Sequence, residues 1–246
     1  MMLTLHGTGA GTPGGDRMAS ALTATFSDGS LVLFDAGEGC ARAMLRDRID
    51  LSAISTVAIS HMHADHWTGF PALVMAWSLA KRTNPVSVYV PPGTADFFES
   101  LPARCYSFRE RLGFELTFHQ LAGFSMPDGW RVEIIPTTHL NSVRELAQRY
   151  SMPPTAFGYL LLNGERRIVL SQDIGGEEDL RPHLDGAELL VCESAHVDPA
   201  AVLEMAQAAG VRHVVFTHVP PADARFPVGF DGIAWDVATD GLRIGL

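Results

Sequence analysis

The chain has 246 residues, of which 47% are hydrophobic and 19% charged, with a formal net charge of −10. That length and apolar content suit one α/β domain with a large core, whereas no apolar run reaches the roughly 18 residues of a membrane span. The start lacks a basic stretch followed by a long apolar one, so a cytoplasmic protein is expected, and Cys40, Cys105 and Cys192, odd in number and widely spaced, read as reduced buried thiols and not as a disulfide framework.

In chain order, residues 2–8 read as a strand. Residues 22–26 and 31–35 alternate apolar and polar around Asp28-Gly29, a hairpin turn signal. Between them and the first strand lies Gly9-Ala10-Gly11-Thr12-Pro13-Gly14, a literal GxGxxG with Asp35 about 20 residues on, as in a dinucleotide fold. A hairpin follows it and not a helix, so no helix N-terminus is available for a pyrophosphate. The loop instead lets backbone run close to a site, lining it or only supporting it.

Residues 40–48 read as a short helix, 56–60 as a buried strand and 70–80 as an apolar helix. The strand-to-helix loop carries His61-Met62-His63-Ala64-Asp65-His66. His61 and His63, two apart in an extended segment, point the same way and can hold one ion. Asp65 and His66 lie one step further and can hold a second. So many neutral or anionic groups around one point are unfavourable without cations.

Further on, 86–90 reads as a strand, 94–101 as a helix, and 115–120 and 131–135 as strands. Residues 157–162 and 167–171 form a hairpin across Asn163-Gly164, and 189–192 a strand. Asp198-Pro199 opens a helix that Gly210 stops. The chain closes with a strand at 214–217 and a hairpin through Asp240-Gly241. The two halves look alike and no linker separates them.

His61, His63, Asp65 and His66 match the HxHxDH pattern, on which the chain resembles the metallo-β-lactamase superfamily. The resemblance implies an α/β fold, a four-layer αββα sandwich of two mixed sheets flanked by helices, with residues 1–246 as one hydrolase domain. It implies further ligands in order. His139 would complete the first metal site with His61 and His63, Asp173 would bridge the ions, and His218 would complete the second site with Asp65 and His66. Each of the three follows a strand. Asp35, in Phe34-Asp35-Ala36-Gly37-Glu38-Gly39, resembles an acidic position that orients His61 or its loop, or it caps a turn.

Within the superfamily, Gly7-Thr8-Gly9-Ala10-Gly11-Thr12-Pro13 resembles the opening of ribonuclease Z and of the small cyclic-phosphate phosphodiesterases of phosphonate breakdown. Glu193 and His196, in Cys192-Glu193-Ser194-Ala195-His196, resemble a phosphate-binding and proton-donating pair. With Asp65 they are the implied catalytic residues; otherwise they cap the helix at Pro199. Departures are visible too. Gln172-Asp173-Ile174-Gly175 lacks the small residues and threonine usual around the bridging Asp, and Val219-Pro220-Pro221 follows His218 where ribonuclease Z continues with Ser and Arg-Tyr. No Lys-rich arm for tRNA is evident, and residues 141–155 are a modest insertion, either a lid or a surface excursion.

The expectation is a binuclear metal-dependent hydrolase, a phosphodiesterase acting on a small or cyclic phosphate ester. Two divalent ions are implied; Zn²⁺ suits the imidazoles and Mn²⁺ the carboxylates. A small anionic substrate is expected as partner, tRNA and membrane are not, and a homodimer stays open. The alternatives are a carboxylic ester, lactone or thioester hydrolase with the same ions, and a protein whose metal site is structural.

Overall fold

The computed structural model describes residues 1–221 and 226–246. The chain divides into two compact units, residues 1–121 with 239–246, and residues 122–238.

The first unit contains β1 (Met2–Gly7), β2 (Ala21–Thr25), β3 (Leu31–Phe34), α1 (Cys40–Arg46), β4 (Ile54–Ala58), α2 (Phe70–Leu79), β5 (Val86–Val90), α3 (Ala95–Arg104) and β6 (Leu116–Gln120). The DG hairpin forms as expected, pairing β2 with β3 from Leu22–Phe34 to Thr25–Leu31. From β3 onward the strands are parallel, because α1, α2 and α3 lie in the crossovers that parallel pairing needs. Phe70, Leu73, Val74 and Trp77 of α2, spaced for one helix face, are buried. They pack with Val57, Val88 and Phe98, and the Trp77 indole donates to Leu51 O at 2.8 Å. Arg82 is buried. It donates to the carbonyls of Ser52, Ile54, Asn84 and Pro85 at 2.7–3.0 Å and lies 5.5 Å from the Trp77 ring centre.

The second unit contains β7 (Phe124–Ser125), β8 (Arg131–Thr137), α4 (Arg144–Arg149), β9 (Ala156–Asn163), β10 (Arg166–Leu170), β11 (Leu189–Glu193), α5 (Pro199–Ala208), β12 (His213–Thr217) and β13 (Ala234–Val237). The Asn163-Gly164 hairpin pairs β9 with β10; β10 to β13 then run parallel. Asp198 caps α5 by accepting from Ala200 N, and Gly210 stops it at φ +71°. Residues 141–155 contain the end of a 3₁₀ turn (His139–Val143) and the short helix α4, followed by irregular chain.

Both sheets are seven-stranded and mixed, which gives the expected α/β class. Three readings need correction. The final segment is not a hairpin: β13 pairs with β12, and β14 (Leu242–Gly245) pairs antiparallel with β1 in the other sheet. Asp240 sets this, because its carboxylate accepts from Thr8 N and Oγ1 and from Met18 N at 2.8–3.0 Å instead of bracing a local turn. The strand placed at 56–60 runs two residues earlier, since the Ser60 N–H goes to Asp35 and not to the ladder. Cys40 and Cys192 are buried thiols, but Cys105 is exposed. Burial pushes the Cys40 thiol up to about 12. Among the described residues, no helix is long and apolar enough to cross a membrane.

Candidate metal centre

In the first unit the ligand cluster lies beyond the carboxyl end of β4, next to the end of β3, where parallel α/β sheets place their sites. Asp35 follows β3 in the left-handed region at φ +58°, a conformation that costs a non-glycine residue free energy. Its carboxylate is buried and accepts three bonds: Ser60 N at 2.7 Å, Ser60 Oγ at 2.8 Å and His66 Nδ1 at 2.6 Å. Ser60 Oγ in turn lies 3.0 Å from His61 Nδ1. With Ser60 donating to Asp35, it accepts from His61, so both imidazoles carry their proton on Nδ1 and present the Nε2 lone pair. Asp35 thus orients His66 directly and His61 through Ser60. Ser60 escaped the sequence reading because a lone serine beside a histidine cluster carries no pattern.

The His61 ring centre is 4.8 Å from that of His63 and 4.1 Å from that of His66. The Asp65 Oδ2 atom is 3.4 Å from His66 Nε2. Two glycines permit the loop's packing: a Cβ at Gly37 would meet Asp65 O at 2.2 Å, and one at Gly69 would meet Gly37 O at 2.1 Å.

In the second unit the acidic and imidazole groups again stand at strand ends. His139 follows β8, Asp173 follows β10, Glu193 ends β11 and His218 follows β12. Gln172 and His218 are left-handed at φ +47° and +52°. The Asp173 Oδ2 atom is 3.5 Å from His139 Nε2 and 3.4 Å from His218 Nε2. A carboxylate that the sequence did not single out knits these loops together: Asp179 accepts from Thr138 N at 2.8 Å and from Gly175 N at 2.9 Å. Thr137 Oγ1 adds a bond to Asp173 O at 2.8 Å.

Glu193 is buried and braces the turn that follows it, accepting from Ala195 N at 2.6 Å and His196 N at 2.9 Å. One of its oxygens also lies 3.1 Å from His196 Nδ1. The His196 ring centre is 4.6 Å from that of His139 and 5.9 Å from that of His218. Since Asp198 is the side chain that caps α5, Glu193 and His196 do not serve that purpose.

These separations fit metal ligands. Ring N–H to carboxylate hydrogen bonds run about 2.7–2.9 Å, and the Asp35–His66 contact is shorter still at 2.6 Å, while the Asp65–His66, Asp173–His139 and Asp173–His218 distances are 3.4–3.5 Å. Ligands at roughly 2.0–2.2 Å from a tetrahedral ion stand about 3.3–3.6 Å from one another. Imidazole and carboxylate donors suit divalent ions such as zinc or manganese.

Residues 31–219 match the model of the Beta-lactamase superfamily domain. The chain is 32% identical to the ribonuclease Z of Methanosarcina acetivorans over 166 residues, which are 68% of this chain and 50% of that protein. It therefore spans half of that relative's length. Among solved structures, human tRNase Z, short form, superposes with a TM-score of 0.78 at 21% identity, covering 100% of this chain and 99% of the other. A diphosphatase from the PhnP family gives 0.70 at 18% identity, covering 100% and 97%. The fold of both is that of this chain.

Proposed function

The chain belongs to the β-lactamase superfamily domain family, and from that membership we propose that it is a metal-dependent phosphodiester hydrolase acting on small phosphate esters. The observation that carries the reading is the set of three carboxylate–imidazole separations of 3.4–3.5 Å within the two clusters. The names of the relatives support phosphate chemistry: a ribonuclease, a tRNase and a diphosphatase.

In this reading residues 1–246 act as one hydrolase domain. His61, His63 and His139 hold one divalent ion, Asp65, His66 and His218 the other, and Asp173 is shared. Zinc is preferred, with manganese second. Such a pair of ions lowers the pKa of bound water and offsets the charge of the attacked phosphoryl group.

The chain's own residues do the rest. Asp35 and Ser60 lock the tautomers of His66 and His61 so that the lone pairs face inward. Asp179 fixes the backbone on either side of His139 and Asp173. Glu193 holds His196 at Nδ1, which aims Nε2 to donate a proton to the departing alkoxide. Glu193 is spent on two backbone amides as well, which fixes the angle from which that proton arrives.

The net charge of −10 favours a small anion over tRNA, since polyanion binding draws on many cationic contacts. Three free thiols fit the cytoplasm, where disulfides are rare; mass in solution distinguishes monomer from homodimer.

The test is a hydrolysis panel on metal-quantified protein: bis-aryl phosphate, cyclic nucleotide, 3′-extended tRNA, lactone and thioester. Preferred turnover of the phosphodiesters is expected. Preferred turnover of a lactone or thioester would overturn the reading, and preferred cleavage of tRNA would overturn the substrate size.

A further inference from the structure

Beside Asp65 the first unit holds a cavity of about 230 Å³, and the glycine loop forms much of its lining through Ala10, Gly11, Pro13 and Gly14. The loop is anchored at both ends. Gly9 N donates to Met18 O at 2.9 Å, and Asp240 accepts from Thr8 N and Met18 N. Arg17 donates to Thr8 Oγ1, whose hydroxyl donates to Asp240. The walls of the cavity are therefore held by the chain's own hydrogen bonds, a feature common to small-molecule sites.

Its chemistry is selective. Among the described residues no aromatic side chain lines it, so a nucleobase would find no stacking platform there, a contact worth about 1–3 kcal/mol per base elsewhere. The nearby Trp67 is committed otherwise, its indole donating to Met62 O at 3.0 Å and its ring packed edge-on against Phe97 and Phe98. Among the described residues the charged lining groups besides Asp65 are Arg17 and Glu38, one of each sign, and these two bring no surplus positive charge for a second phosphate. A guanidinium that donates and a carboxylate that accepts are complementary to hydroxyl groups, which do both. At Gly11 a Cβ would stand 3.3 Å from Asp65 Oδ2, so a residue without a side chain keeps the wall next to that carboxylate thin.

We propose that this cavity seats one ester substituent of the phosphodiester, a short aliphatic group bearing hydroxyls and of glyceryl size, and that it discriminates against nucleosides. The proposal rests on the phosphodiesterase reading and names its substrate class. Ala10 and Glu38 are then specificity-determining residues, Ala10 by the room it leaves and Glu38 by accepting from a substrate hydroxyl.

The experiment uses three diesters with a common p-nitrophenolate leaving group and methyl, glyceryl or thymidine as the other substituent, assayed on metal-loaded protein. The glyceryl ester is expected to exceed the thymidine ester at least about tenfold in kcat/KM. Ala10→Leu should lower the glyceryl ester about tenfold while leaving the methyl ester within about twofold. Glu38→Ala, at an exposed position, should lower the glyceryl ester several-fold and serves if Ala10→Leu does not fold. Calorimetry gives a readout apart from turnover: glycerol 3-phosphate should bind more tightly than methyl phosphate, and Ala10→Leu should abolish the difference. Turnover of the methyl ester without glyceryl preference, or equal losses on both esters in the variants, overturns this proposal alone. Failure to hydrolyse any of the three overturns the phosphodiesterase reading and this proposal with it.

Discussion

Asp35 Oδ2 lies 2.6 Å from Nδ1 of His66, with both side chains buried, and the same carboxylate takes the Ser60 amide at 2.7 Å. One acidic group therefore fixes a ligand's ring and the backbone from which the ligand loop departs. Asp35→Ala is expected to weaken metal binding by about 10- to 100-fold, the usual cost of losing a carboxylate behind a ligand histidine. Competition with a chromogenic chelator measures it. Unchanged affinity with only a lowered melting temperature would make Asp35 a turn brace.

Asp173 stands within 3.5 Å of two imidazole nitrogens, those of His139 and His218. Asp173→Ala should disturb both ions and His218→Ala mainly one. Metal counts per chain by elemental analysis decide between them. Two tightly bound ions and full activity in Asp173→Ala would remove the shared role.

His196→Ala should keep its metal content and lower kcat by roughly 10² to 10⁴ for an alkyl leaving group. An activated aryl group departs without a proton and should lose far less. Equal losses on the two substrates, together with a lowered melting temperature, would mean that His196 only supports the turn after β11.

His6 and Asp47 give a pH signature of stability. Burial holds the His6 pKa below its ordinary 6.5, against the opposing hydrogen bond to Asp47 and its charge, with Arg46 and Arg243 adding to the lowering. Its Nδ1 is 2.6 Å from Asp47 Oδ2 and its Nε2 is 2.8 Å from Thr23 Oγ1. The unfolded chain then binds a proton below 6.5 that the folded chain refuses, so this contribution is complete above 6.5 and falls as pH drops from there toward the lowered folded value. Urea midpoints of metal-loaded protein over about pH 5 to 8 should show the decline. His6→Gln should flatten it; an equally steep decline in that variant would assign the effect to other groups.

Much of the fold was legible because it is written locally. The Asp28-Gly29 and Asn163-Gly164 turns, the Asp198-Pro199 helix start and the apolar strands are patterns within a few residues, and these appear in the structure. The HxHxDH segment was legible for the same reason, as a density of donors that only cations justify. Distant pairings were not. Nothing in residues 240–246 says that β14 joins β1 and not β13, because the deciding bonds run from Asp240 to Thr8 and Met18, more than 200 positions away in sequence. Ser60 and Asp179 are single polar residues whose function exists only where the chain brings Asp35, Thr138 and Gly175 to them. Sequence by itself determined the donor types and their order, since those are covalent facts. The tertiary structure alone decided which nitrogen of His61 and of His66 faces inward, because a tautomer is set by the hydrogen bond on the far side of the ring.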